Sequence, residues 1–73
     1  MTTKQRKRTV FAENLKRLRG DLSQARLAAA TLLSEETIRS IENGRRMPSY
    51  GTMAKVAAAL GVSMADLLKE NGR

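Results

Sequence analysis

The sequence predicts an all-α domain of five short helices. Three observations predict it. Apolar residues recur at spacings of three and four, with no stretch alternating as a strand would. Serines stand just before four of the periodic segments, where a hydroxyl can satisfy an unpaired backbone N–H. Glycines stand just past several of their ends, where a left-handed residue stops a helix. At 73 residues the chain makes one domain with a modest core.

Taken in order, Met1 to Arg8 has no apolar residue after Met1, which predicts a disordered basic arm over residues 1–8. The domain proper is expected over 9–70, with 71–73 a short tail. Phe11, Leu15 and Leu18 fall at i, i+4 and i+7 and mark helix 1, which Gly20 ends. Leu22 is a loop residue expected to tuck into the core. Ser23 caps helix 2, in which Leu27 and Ala28 face inward and the run Ala28 to Ala30 suits close helix packing. Only Thr31 to Leu33 link it to helix 3, so the two should cross steeply, as in a helix-turn-helix.

Helix 3 runs from a Ser34 cap to Gly44. Glu35 and Glu36 place negative charge at its positive end, and Ile38 and Ile41 form a narrow apolar stripe. Its other positions are polar, so a capped helix held from behind offers a free face to a partner. Arg45, Arg46 and Met47 then lead to Pro48, the only proline. Ser49 caps helix 4, striped by Met53, Val56, Ala57 and Leu60 and stopped at Gly61. Ser63 and Asp66 form a capping box for helix 5, with Leu67 and Leu68 as its apolar face.

Composition narrows the partner. No cysteine or histidine is present, which excludes disulfides, thiolate metal sites and imidazole catalysis, and no metal or cofactor is expected. One Tyr and one Phe argue against an aromatic platform for single strands. No apolar run approaches a membrane span, and no apolar segment follows the basic start as in a secretory signal, so a soluble cytoplasmic protein is expected. The formal charge of +7 is concentrated early: seven Lys and Arg against Glu13 in residues 1–19. Such an excess points to a polyanion.

The ordered set Leu22-Ser23-Gln24, Leu27-Ala28, Ser34, Thr37-Ile38, Ile41-Glu42-Asn43-Gly44, Pro48-Ser49 and Leu60-Gly61-Val62-Ser63 closely resembles the Xre family, also called Cro/lambda-repressor-like. The resemblance covers roughly residues 11 to 68. It implies a compact five-helix lambda-repressor-like domain whose helices 2 and 3 are the helix-turn-helix, with helix 3 in the major groove. Carried over position by position, the base readers would be Glu35, Glu36, Thr37 and Ser40, with Arg39 at the flank. Gln24 would meet a phosphate at the start of helix 2, with Arg26 adding charge nearby, while Asn43, Arg45 and Arg46 lie along the backbone. Lys4, Arg6, Lys7 and Arg8 would wrap an arm around the duplex or enter the minor groove. Glu42 would pair with an arginine of helix 1, Arg19 as the best match and Arg17 second.

Glu35 and Glu36 admit two readings. A carboxylate can accept from cytosine N4, or both acids simply stabilise the helix start, Glu35 being further neutralised by Arg39 one turn on. Three departures from the family stand out. The Gly20-Asp21 link is short, Arg26 replaces a capping-box glutamate, and Leu32 occupies the turn position that is usually glycine. A left-handed leucine costs about 1–2 kcal/mol, which points to a turn built differently. The function implied is a transcriptional regulator, more a repressor than an activator, bound as a homodimer to an inverted repeat, with Met64, Leu67 and Leu68 pointing to the dimer surface. The other reading of these three is core packing, and at least one of Leu67 and Leu68 must be core. The alternative is an antitoxin-like protein-interaction module on the same fold, with a toxin or the polymerase as candidate protein partner. No nucleophile–base pair suggests an enzyme.

Overall fold

A computed structural model describes residues 2–70. Five α-helices follow one another without a strand among the described residues: α1 Thr3–Arg19, α2 Gln24–Thr31, α3 Glu35–Glu42, α4 Tyr50–Leu60 and α5 Met64–Leu68. Ser23, Ser34, Ser49 and Ser63 cap the last four, each accepting from the backbone N–H three residues on. Asp66 returns the bond to the backbone of Ser63, which completes the capping box of α5.

The apolar stripes meet in one core. Phe11 and Leu15 of α1, Leu27 and Ala28 of α2, Ile38 and Ile41 of α3, Val56 and Ala57 of α4 and Leu67 of α5 are all buried in it. Leu22 is half-buried against this core from its loop. α3 thus rests on its two isoleucines, and the opposite face of the helix stays at the surface.

Two features differ from the sequence expectation. The segment expected as a disordered arm forms the first turns of α1, so the expected boundary between residues 8 and 9 falls inside a helix. Thr2 and Gln5 make a reciprocal capping box there, with Thr2 Oγ1 accepting from Gln5 N at 3.2 Å and Gln5 Oε1 accepting from Thr2 N at 2.8 Å. Lys, Arg and Gln favour helix without any need for burial, and two of these side chains dock elsewhere. Arg6 pairs with Glu70 at 2.7 Å, and Arg8 Nε donates to the Gly44 carbonyl at 3.2 Å. The expected tail 71–73 lies outside the described residues.

The second difference is the α2–α3 turn. Leu32 is left-handed, with φ 60° and ψ 29°, and the Leu33 N–H reaches back to the Ala28 carbonyl at 3.0 Å. The same closing bond follows Gly61, from Val62 N to Ala57 O at 3.0 Å. The turn is therefore built as a glycine would build it, and the leucine bears the strain.

One buried polar side chain holds the ends of the fold together. Asn14 is fully buried, and its Nδ2 donates to the carbonyls of Leu67 at 2.8 Å and Lys69 at 2.7 Å. It satisfies carbonyls that the end of α5 leaves without helical partners.

Candidate nucleic-acid interface

α3 is fixed at both ends and from behind. Ser34 Oγ accepts from Thr37 N at 3.0 Å and lies 2.9 Å from Thr37 Oγ1, while Ile38 and Ile41 anchor the inner face. The outer face carries Glu35, Glu36 and Arg39 in the open, with Thr37 and Ser40 half-buried beside them. The five expected readers thus share one helix but not one degree of access. Arg39 Nη1 lies 3.3 Å from Glu36 Oε1. The expected partner was Glu35, four residues back. The i,i+3 position reaches the guanidinium instead, as helix geometry equally permits.

The C-terminal end of α3 is tied to α1 and to the start of α2. The Glu42 carboxylate is 3 % exposed. Arg19 grips it bidentately, Nε to Oε2 at 2.5 Å and Nη2 to Oε1 at 3.0 Å, and Arg19 Nη1 also donates to the Leu22 carbonyl at 2.7 Å. Arg17 instead points to Asn14, with Nη2 at 3.3 Å from Oδ1. Gln24, expected at a phosphate, donates from Nε2 to Glu42 Oε1 at 2.9 Å. Nothing in the local sequence signals this bond, since the partners are eighteen residues apart and on different helices. Its effect is mechanical. The first residue of α2 and the last residue of α3 share one carboxylate, which fixes how the two helices sit against each other.

Arg45 and Arg46 stand exposed in the loop after α3, next to exposed Asn43. Arg26 is exposed on α2, and its backbone N–H donates to Ser23 Oγ at 3.0 Å. Exposed guanidinium forks beside a rigid helix suit phosphate oxygens, which they can hold with two parallel bonds. Among the described residues no group of histidine, cysteine, aspartate or glutamate is arranged to hold a metal ion.

A helix-turn-helix family model matches residues 15–67 of this chain, which spans α2, the turn and α3. The chain belongs to the Xre-type helix-turn-helix family. Members of this family are DNA-binding transcription regulators that act on double-stranded DNA. The Xre-type chain is 38 % identical over 63 residues to the control protein C.MunI of Mycoplasma sp, covering 82 % of this chain and 85 % of that one. Its fold is similar to the restriction-modification controller protein C.AhdI of Aeromonas hydrophila, with TM-score 0.78 and 31 % identity, over 82 % of this chain and 94 % of the other. It is also similar to a hypothetical transcription factor, NHTF, from Neisseria, with TM-score 0.86 and 30 % identity, over 97 % and 84 % of the two chains. The protein is thus a helix-turn-helix transcriptional regulator related to restriction-modification controller proteins.

Outside the helix-turn-helix, the Xre-type protein places its expected arm residues in two groups. Lys4 and Lys7 are exposed on α1. Arg6 is committed to Glu70, whose carboxylate raises the Arg6 pKa above its already high ordinary value, and Arg8 docks on the loop carbonyl of Gly44. Arg8 therefore docks where the α3–α4 loop begins, on the residue that precedes Arg45 and Arg46 in sequence. Of the expected dimer residues, Leu67 is fully buried in the protomer core and presents no surface. Met64 is half-buried, and Leu68 is 44 % exposed. No helix among the described residues is long and apolar enough to cross a membrane.

Proposed function

We propose that the protein is a sequence-specific repressor that binds an inverted-repeat operator as a homodimer in the cytoplasm. α3 lies in the major groove, with Glu35, Glu36, Thr37, Arg39 and Ser40 toward the base edges. Asn43, Arg45 and Arg46 meet phosphates, with Arg26 and the α1 lysines adding positive charge at the flanks. Gln24 holds Glu42 in the free protein and keeps its amide oxygen for the DNA side of α2.

The observation that carries this reading is the Glu42 junction. A buried carboxylate that ties α1, α2 and α3 together makes the spacing between the base-facing helix and its phosphate-facing neighbours a fixed property of the fold. Recognition without such fixity would lose binding free energy to ordering. The relation to the control proteins C.MunI and C.AhdI supports a regulatory role beside a restriction-modification system.

A single small domain makes few base contacts, so two protomers on half-sites about 34 Å apart are needed for specificity. Leu68, exposed on α5 and flanked by half-buried Met64, supplies the apolar centre of the dimer surface. Selection of bound duplexes from a random pool, at physiological salt, tests the proposal. A two-fold symmetric motif is expected, and a pool left unenriched over bulk DNA would refute it. Sedimentation of wild type and Leu68→Glu then tests the dimer, the variant being expected to remain monomeric.

A further inference from the structure

The base-facing helix is acidic, an unfavourable charge for a surface that meets phosphates. α3 holds Glu35, Glu36 and Glu42 against Arg39 alone. Glu42 is spent on Arg19 and Gln24 inside the protein, so the acids that meet DNA are Glu35 and Glu36. Glu36 does not stand alone, because one of its oxygens faces Arg39 Nη1 at 3.3 Å. Both side chains are at least half exposed, at 76 % and 50 %. Nη1 is the only Arg39 nitrogen engaged among the described residues. The rest of the guanidinium fork and the second Glu36 oxygen remain available to a ligand.

The two groups have opposite and complementary requirements. A guanidinium only donates, and its fork matches the O6 and N7 acceptors of guanine. An ionised carboxylate only accepts, and in the major groove cytosine N4 is a donor without the neighbouring N7 acceptor that adenine sets beside its N6. Guanine O6 and cytosine N4 lie side by side on a G·C pair, and stacked neighbours follow about every 3.4 Å along a strand. A guanidinium and a carboxylate already in hydrogen-bond contact fit that spacing. Held from the side, Arg39 also has less rotamer freedom to lose on docking.

We propose that Glu36 and Arg39 read DNA as one unit. Arg39 donates to O6 and N7 of a guanine, while Glu36 steadies it and accepts from N4 of a cytosine in the adjacent base pair. Glu36 is thereby a specificity residue whose partner cancels its repulsion from phosphates. A pair that puts thymine in the place of the cytosine turns its O4 acceptor toward the carboxylate and is rejected. This inference rests on the placement of α3 in the major groove.

The test is duplex selection with wild type, Glu36→Ala, Glu36→Gln, Arg39→Ala and the double alanine variant, each shown to be folded by circular dichroism. The wild-type motif is expected to hold a contiguous guanine and cytosine. Either alanine variant is expected to weaken discrimination at both positions by about 5- to 150-fold. The double variant should lose no more than about the larger single loss. Glu36→Gln is expected to shift the cytosine position toward adenine, since an amide pairs with N6 and N7. Losses confined to separate positions that multiply in the double variant would overturn the unit. A wild-type motif that Glu36→Ala leaves intact would overturn it too, while the groove reading stood. A wild-type protein that enriches no motif would overturn the groove reading, and this inference with it.

Discussion

The protein contains two arginine–glutamate pairs with the same chemistry and opposite surroundings. Arg19 and Glu42 are 19 % and 3 % exposed, joined by two bonds and braced by Gln24 and the Leu22 carbonyl. Glu36 and Arg39 are largely in solvent and share a single contact at 3.3 Å. Burial decides what each pair can do. Taking charges out of water costs several kcal/mol per ion, so the inner pair persists only with every oxygen satisfied, and it cannot exchange partners without disrupting the fold. Water competes for the outer pair, which is worth at most about 1 kcal/mol and is free to exchange water for bases. The inner pair joins α1 to the end of α3 and fixes position, while the outer pair lies within α3 and is left free for the specificity proposed for it.

Substitutions break or sharpen this contrast, and the largest effect belongs to the inner pair. Glu42→Ala leaves half-buried Arg19 without its carboxylate and Gln24 without its acceptor, and is expected to cost about 3 kcal/mol in urea unfolding. Wild-type stability in that variant would remove the basis of the comparison. Asn14→Ala separates burial from charge. It strips the Leu67 and Lys69 carbonyls of a neutral donor and should cost about 1–3 kcal/mol, less than Glu42→Ala. Leu32→Gly asks whether the turn or the junction sets the helix angle. Leu32 is 89 % exposed, so the change sacrifices little packing and relieves the left-handed strain, and a gain of about 1 kcal/mol is expected. If the Glu42 junction sets the angle, DNA site preference in this variant stays that of the wild type. The smallest stability effect is Glu36→Ala, expected within about 0.5 kcal/mol of wild type by the same urea titration.

How far the sequence was legible follows from what kind of signal each feature leaves. α2 to α5 were readable because every one begins with a serine cap and carries apolar residues at helical spacing, both local properties. The first turns of α1 carry no apolar residue, so hydrophobic spacing marks the helix only from residue 9 onward. The Thr2–Gln5 capping box lay in plain view there. Leu32 shows the reverse error, where a correct local rule, that leucine dislikes left-handed backbone, lost to the tertiary demand for a tight turn between α2 and α3. In the site, Glu35, Glu36 and Arg39 are exposed on one helix as their spacing requires. Which acid meets Arg39 depended on side-chain geometry that i,i+3 and i,i+4 spacing does not distinguish. The Gln24–Glu42 bond and the docking of Arg8 on Gly44 depend on how helices cross, which no local pattern records.

The bonds from Asn14 to the end of α5 have a consequence for the order in which the chain acquires structure. A helix of five residues does not persist in isolation, since nucleation outweighs so few turns. α5 exists because Leu67 enters the core and Asn14 takes its last carbonyls, contacts that close a loop of more than fifty residues. Its formation therefore waits for α1, and the two should protect their backbone amides from deuterium as one cooperative unit. Leu68 lies on that same late-forming segment. A dimer assembled through it would draw only on protomers in which α1 and α5 have already met.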